Sequence, residues 1–267
     1  MTLPIALTIA GSDSGGGAGI QADLKTFHAF GVYGTSVITA ITAQNTLGVS
    51  AVHAVPADMV RKQIDAVAAD LRPDATKTGM LATAELVGEV ARAIREHALE
   101  NYVLDPVMVA TSGDRLLDEN AIGAVRDALM PLCTVITPNL DEASLLVGAT
   151  VLDGDAMEAA ARELVSRGAR AALVKGGHLP GNQLVDVLYD GRQMYRWKRP
   201  RIDTRSTHGT GCTLSAAIAS GLARNQPLVP AIENALAFVQ RALQTAPGLG
   251  RGHGPLNHFS SSESTSA

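Results

Sequence analysis

Aromatic residues are scarce in this chain. Phe, Trp and Tyr make up 3% of its 267 residues, so its core must be built from Ala, Val, Leu and Ile. Hydrophobic types still reach 46%, enough for a sizeable core. Cysteine is nearly absent: Cys133 and Cys212 are the only two, and two cysteines imply no disulfide framework. Positive charge is not in excess. The net charge is −4, no basic stripe is present, and nucleic acid is not an expected partner. No apolar run approaches the ~18 residues of a membrane helix, so no membrane partner is expected. Met1-Thr2-Leu3-Pro4 lacks the charged n-region of a signal peptide, which makes the cytoplasm the expected location. The histidines show no H-x-x-x-H spacing, and no zinc site is expected. There is no Pro/Gly/Ser linker and no internal repeat. One domain is expected over residues 1–259, with the low-complexity stretch 260–267 disordered.

Short apolar runs alternate with longer amphipathic ones. Strands are expected over residues 5–10, 32–41, 75–78, 102–104, 134–137 and 171–174. Helices are expected over 18–30, 57–71, 84–98, 118–130, 141–147, 155–167, 211–223 and 229–245. Residues 184–189 and 194–197, joined through Asp190-Gly191, read as a hairpin. This alternation predicts an α/β fold with a mostly parallel central sheet flanked by helices on both faces. Ligands of such sheets bind beyond the carboxyl ends of the strands. The residues after the first strand, Gly11 to Asp13, lie there, as do Asp105, Asn139 and Lys175.

The run Thr207-His208-Gly209-Thr210-Gly211-Cys212-Thr213 precedes an apolar helical segment. Unpaired first-turn amides and the helix dipole would favour an anion there, and glycine lets the backbone come close to it. The alternative is a Gly-rich turn followed by a buried cysteine. A second Gly-rich stretch, residues 11–19, also follows a strand and opens a helix. Gly17-x-Gly19-x-x-Ala22 fits a relaxed dinucleotide fingerprint. That fingerprint wants an acid ~20 residues on, and residues 37–45 hold none. Gly-x-x-x-x-Gly-Lys-Ser/Thr is absent, so this is not a P-loop. A mobile loop that admits substrate to the backbone fits better, with a plain flexible loop as the alternative.

Other residues carry possible chemistry. Asp23 stands beside the apolar face of Ile20, Leu24 and Phe27, where a solvated helix position is an equal reading. Gln44 offers a donor and an acceptor together, as an aminopyrimidine edge requires; an ordinary loop residue is the competing reading. Asp105 is held extended by Pro106. Asn139-x-x-Glu142 and Asp105 offer hard oxygen ligands suited to Mg²⁺, although Asn139 equally suits a helix cap. Lys175, before two glycines, is placed for a phosphate or else lies on the surface.

Seven strings occur in order over residues 10–213. They are 10–23 (AGSDSGGGAGIQAD), Thr42-Ala43-Gln44-Asn45, Lys77-Thr78-Gly79-Met80-Leu81, Asp105-Pro106-Val107-Met108, Thr137-Pro138-Asn139-x-x-Glu142, Val174-Lys175-Gly176-Gly177-His178 and 208–213 (HGTGCT). Through them the chain resembles the hydroxymethylpyrimidine/phosphomethylpyrimidine kinases of thiamine biosynthesis, within the ribokinase-like superfamily. The resemblance implies ATP with Mg²⁺, a homodimer, and phosphorylation first of hydroxymethylpyrimidine and then of its monophosphate. It implies a pyrimidine pocket with Gln44, Gly11, Asp23, Met80 and Val107. Asp105, Asn139 and Glu142 would serve metal and phosphates, and Lys175 and Thr210 the nucleotide phosphates. Gly209, Thr210, Gly211 and Cys212 would form the anion hole.

An aspartate stands in much of that superfamily where Cys212 stands. The second acceptor is a phosphate monoester with a pKa of about 6, largely a dianion at neutral pH. A carboxylate at ~4 Å would cost about 4 kcal/mol per charge pair at an effective dielectric near 20. A thiol, with an ordinary pKa of about 8.5 that a helix N-terminus lowers, can stay neutral. Cys212 is therefore expected to let one site serve both acceptors. The competing readings are pyridoxal kinase, a dinucleotide-dependent oxidoreductase disfavoured by the missing acid, and a non-catalytic pyrimidine-binding module.

Overall fold

A computed structural model describes residues 3–108, 119–177 and 181–259. Nine strands form one sheet in the order β3-β2-β1-β4-β5-β6-β7-β8-β9. The strands are β1 (Ile5–Ser12), β2 (Tyr33–Asn45), β3 (Gly48–Ala54), β4 (Ala75–Thr78), β5 (Tyr102–Leu104), β6 (Val135–Ile136), β7 (Ala172–Lys175), β8 (Gln183–Tyr189) and β9 (Met194–Pro200). From β2 to β7 the neighbours run parallel. β3, β8 and β9 join antiparallel at the two edges.

The helices are α1 (Gly19–Ala29), α2 (Ala57–Asp70), α3 (Ala84–Glu96), α4 (Glu119–Ala124), α5 (Leu140–Val147), α6 (Gly154–Ser166), α7 (Thr210–Ala223) and α8 (Leu228–Gln244). Two apolar clusters cover the two faces of the sheet. α2 to α6 bury one face and α1, α7 and α8 the other. Strand residues divide between them by the period-2 rule: Tyr102 and Leu104 point into the first cluster, Val103 into the second. α7 is apolar nearly all round and correspondingly buried, against the sheet, α1 and α8.

The α/β architecture with helices on both faces is as expected, and most elements fall within one or two residues of their expected bounds. Three regions differ. β2 runs on to Asn45, and β3 was not anticipated: it is a largely exposed edge strand with no apolar run to mark it. The helix expected over 118–130 is α4 followed by a π-turn (Val125–Leu129) and a 3₁₀ turn (Met130–Leu132). Pro131, which lacks an N–H, breaks its regular ladder. Asp118, the expected start of that helix, and the 260–267 stretch lie outside the described residues. Among the described residues no helix is long and apolar enough to cross a membrane.

The carboxyl ends of β1, β4, β5, β6 and β7 form one rim. Ser12, Thr78, Leu104, Ile136 and Lys175 close these strands, so the polar residues that follow them are brought together there. The C-terminal segment straps this rim. The His253 amide donates to the Thr46 carbonyl (2.8 Å), the His208 amide to Gly254 (3.1 Å), and buried His258 lies 3.0 Å from the Thr213 hydroxyl.

Candidate active site

α7 begins at the rim with no side-chain cap. Its N-cap, Gly209, has φ +82°, a conformation natural only to glycine, and a Cβ there would collide with the Gly17 carbonyl. The Thr210 hydroxyl turns back to the Thr207 carbonyl (2.6 Å). The amides of Gly211 and Cys212 belong to the first turn, which has no intrahelical acceptors for them. The sequence therefore builds a bare helix N-terminus by placing glycine where a capping Ser or Asp would stand.

Charge gathers in front of it. Lys175 ends β7 and approaches Asp105 Oδ1 at 3.3 Å and Glu142 Oε2 at 3.9 Å. Asp105 follows β5, is buried, and accepts from Ser215 of α7 at 3.1 Å and from Thr137 at 3.4 Å. Gly211 keeps this space open: a Cβ there would lie 3.3 Å from Lys175 Nζ and 3.9 Å from Asp105 Oδ2. Burial works against the Lys175 charge, but Asp105 and Glu142 outweigh it and hold its pKa above the ordinary lysine value. Burial, together with Asp105 and against the pull of Lys175, pushes Glu142 up to about 7. Asn139 and Glu142 form a reciprocal capping box at α5: the Glu142 amide donates to Asn139 Oδ1 (2.9 Å) and the Asn139 amide to Glu142 Oε2 (2.8 Å). Asn139 is thus occupied as a cap.

The other side of the rim is the first Gly-rich segment. Asp13 folds it, accepting from the amides of Gly15 (2.8 Å), Gly17 (3.0 Å) and Ala18 (2.8 Å). His208 Nε2 lies 2.8 Å from Asp13 Oδ2 and 3.4 Å from Gln44 Nε2. Burial pushes the Asp13 carboxyl up, but His208 and the loop amides prevail and hold it below the usual carboxylate range. Gln44 is half-buried, and Thr42 donates to its Oε1 at 3.1 Å. Met80 packs on the Gly11 backbone, where a Cβ would lie 2.9 Å from the Met80 methyl. Half-buried Val107 sits just past Asp105, its amide turned to the Asp105 carbonyl (2.8 Å).

Asp23 has a setting of its own. Its side chain is fully enclosed. It accepts from Thr8 (2.6 Å) and from the equally enclosed Lys77 (2.9 and 3.1 Å). Both oxygens are engaged inside the protein beneath the rim. Lys77 and Asp13 carried no role in the sequence reading. Lys77 sits in a short Thr-flanked strand that marks nothing special, while Asp13 precedes Ser-Gly-Gly-Gly, a loop-capping pattern that was there to be read. Cys212 also departs from expectation. Its thiol is not lowered by the helix N-terminus: burial pushes it up to about 11, against the pull of Lys77 and the Gly19 amide.

The oxygen set fits a hard cation only in part. Asp105 and Glu142 are buried side by side with one lysine between them, and among the described residues no cluster of three or more His, Cys, Asp or Glu could hold a metal alone. Two carboxylates suit an ion that keeps waters and takes further oxygens from a phosphate chain, as Mg²⁺ does.

The sequence model of the family described as phosphomethylpyrimidine kinase matches residues 13–257. The hydroxymethylpyrimidine/phosphomethylpyrimidine kinase of Bacillus subtilis is 49% identical over 97% of this chain and 96% of its own length. The thiamine biosynthesis bifunctional protein of Geobacter sulfurreducens is 50% identical over 96% of this chain, which spans only 52% of that longer protein. Among solved structures, an ADP complex of Bacillus subtilis pyridoxal kinase superposes with a TM-score of 0.90 at 41% identity, covering 96% of this chain and 98% of that one.

Proposed function

Because the chain belongs to the phosphomethylpyrimidine kinase family, we propose that it phosphorylates 4-amino-5-hydroxymethyl-2-methylpyrimidine and then its monophosphate with ATP, in thiamine biosynthesis. The observation that carries this reading is the convergence at Gly211. A bare helix N-terminus, Lys175 and the buried Asp105 carboxylate meet within contact distance of a position that has no side chain, and a second buried carboxylate, Glu142, lies 3.9 Å from that lysine. Phosphoryl transfer has a loose transition state and depends on positioning and charge. The Gly209–Cys212 backbone supplies fixed dipoles for the transferring group, and Lys175 and Thr210 face the nucleotide phosphates. Asp105 and Glu142, with Asn139 beside them, would hold Mg²⁺, which supplies charge neutralisation along the phosphate chain. Gln44, Gly11, Met80 and Val107 would line the acceptor pocket, and Asp23 supports it from beneath.

The hydroxyl acceptor must lose a proton, and Cys212 in the first turn of α7 would take it. The phosphate acceptor, mostly a dianion, needs no base. A thiol held neutral by burial suits that second acceptor. We further propose that it acts in the cytoplasm as a single kinase domain. The exposed Ile41, Leu47 and Val52 of the β2–β3 hairpin support a homodimer, which sedimentation would measure.

The test is coupled ADP release with each acceptor in turn. Turnover with both is expected; ADP release with neither would overturn the assignment. Likeness to a pyridoxal kinase at 41% identity favours one second reading, a side activity on pyridoxal. A kcat/KM for pyridoxal above that for the pyrimidine would make it the main one.

A further inference from the structure

A buried ammonium lies under the acceptor side of the rim, and no step above uses it. Lys77 of β4 and Asp23 of α1 are both fully enclosed. Removing two charges from water costs several kcal/mol per ion, and well-packed apolar residues of similar volume often serve stability as well or better. Stability alone is therefore a weak reason for the pair. The arrangement is also tightly held. Lys77 donates to both Asp23 oxygens and Thr8 of β1 donates to one of them. Gly79 passes so close that a Cβ there would lie 3.0 Å from Lys77 Nζ.

Cys212 lies in the first turn of α7. α7 packs on α1, β1 and β4, the elements that carry Asp23, Thr8 and Lys77. The charges acting on the thiol are Lys77 from β4, Asp23 from α1, Asp105 from the end of β5 and Lys175 from the end of β7. Of the two cations, Lys175 is engaged by Asp105 and Glu142. Among the described residues Lys77 pairs with no carboxylate but Asp23, and it acts against the burial that raises the Cys212 thiol.

We propose that Lys77 is a positioning residue for phosphoryl transfer: its ammonium, clamped by Asp23, is the fixed positive charge that supports Cys212 in its reactive state. The inference rests on the kinase reading. In the first reaction the acceptor oxygen forms a bond to the γ-phosphorus and the bond from that phosphorus to the ADP oxygen breaks. The hydroxyl proton passes to the sulfur, so the form of Cys212 that accepts it is the thiolate beside Lys77. In the second reaction the acceptor brings its own negative charge, and the same ammonium offsets it.

The experiment measures alkylation of Cys212 by iodoacetamide against pH, followed by mass spectrometry, in the wild type, Lys77→Met, Lys77→Arg and Asp23→Asn. Only the thiolate reacts. Lys77→Met should slow alkylation about tenfold or more in the rising part of the profile, equivalent to a pKa rise of about one unit. Lys77→Arg should restore most of it, and Asp23→Asn, which removes the competing anion, should speed it. In activity, Lys77→Met should move the alkaline profile of the alcohol step and lower kcat of the phosphate step without moving its profile. A Lys77→Met alkylation profile that superimposes on the wild type in folded protein would overturn the proposal. Should that variant not fold, unchanged profiles in both Lys77→Arg and Asp23→Asn would do the same. Alkylation needs no turnover, so a shifted profile in a protein that phosphorylates neither acceptor would refute the kinase reading and leave the Lys77–Cys212 link standing.

Discussion

The two glycine-rich segments of this chain have similar composition and both end at a helix N-terminus on the same rim, yet their amides are spent differently. In residues 13–18 one carboxylate, Asp13, accepts from the amides of Gly15, Gly17 and Ala18. The segment has satisfied itself before any ligand arrives. At α7 no side chain caps the helix, and the first turn faces Lys175 and the Asp105 carboxylate across the empty side of Gly211. Glycine content alone separates neither case. What separates them is whether an acid stands where it can fold back on the amides. Asp13 stands two residues before the first glycine it caps, while Thr207 and His208 stand before Gly209 and offer no carboxylate. The first segment is thus a built wall and the second a receptor.

Substitutions can break or sharpen that contrast. The largest effect is expected from Gly209→Ala, which puts a side chain at φ +82° against the Gly17 carbonyl and so displaces receptor from wall. kcat for both acceptors should fall about 10²–10³-fold, the cost of losing an oxyanion donor, with the circular dichroism unchanged. A variant with near-normal kcat would show that the receptor does not depend on its glycine cap. Next comes Cys212→Asp, which gives the receptor the acid that the wall possesses. The phosphate step should lose about 10²-fold more than the alcohol step, since about 4 kcal/mol per charge pair is only partly screened. Equal losses, or a greater loss on the alcohol, would remove the proposed reason for a thiol.

Asp13→Asn acts on the wall. Buried amides lose a charged acceptor, and a destabilisation of roughly 2 kcal/mol, or ~5 °C in Tm for a chain of this size, is expected. The Asp13 carboxyl lies below its unfolded value, so its contribution is present above the unfolded pKa and is lost as pH falls through the folded one. Thermal melts of wild type and variant should therefore converge toward acid pH. Melts that differ equally at all pH would deny the carboxylate that role. Glu142→Gln acts through pH: it can keep the capping box while removing the charge. Glu142 is raised to about 7, so between an unfolded pKa of about 4.3 and 7 the folded state holds the extra proton. Wild-type stability should fall as pH rises through that window, by roughly 3 kcal/mol if the whole shift is expressed. The Gln variant should lack that slope; an identical slope in both would place the titration elsewhere.

Much of this was legible in the sequence, for identifiable reasons. Asp105, Asn139 and Lys175 were placed at one rim because each follows a short apolar run, and in a parallel sheet all such runs end on the same side. The bare N-terminus of α7 was legible because Gly-Thr-Gly-Cys has no capping residue where one belongs. Lys77 was not, because a lysine within Ala75-Thr-Lys-Thr78 looks like a surface residue until α1 is seen to bring Asp23 against it, 54 positions away. β3 was missed because an exposed edge strand has no apolar face to announce it. The direction of the Cys212 shift is hidden in the sequence, because the dipole of its helix is written there, whereas the burial that outweighs it is a property of packing.

The strap across the rim also has a consequence for how the molecule comes into being. Asp13 meets His208 across 195 residues, and His208 is itself held by Gly254. A nascent chain can lay down β1 to β7 in order, each parallel strand beside an earlier one, and still lack a working centre. Contacts of such sequence separation close late. The centre is therefore complete only once residues 253–258 are in place, and a chain truncated before residue 253 would be a nearly complete sheet whose two glycine-rich segments had never been fastened together.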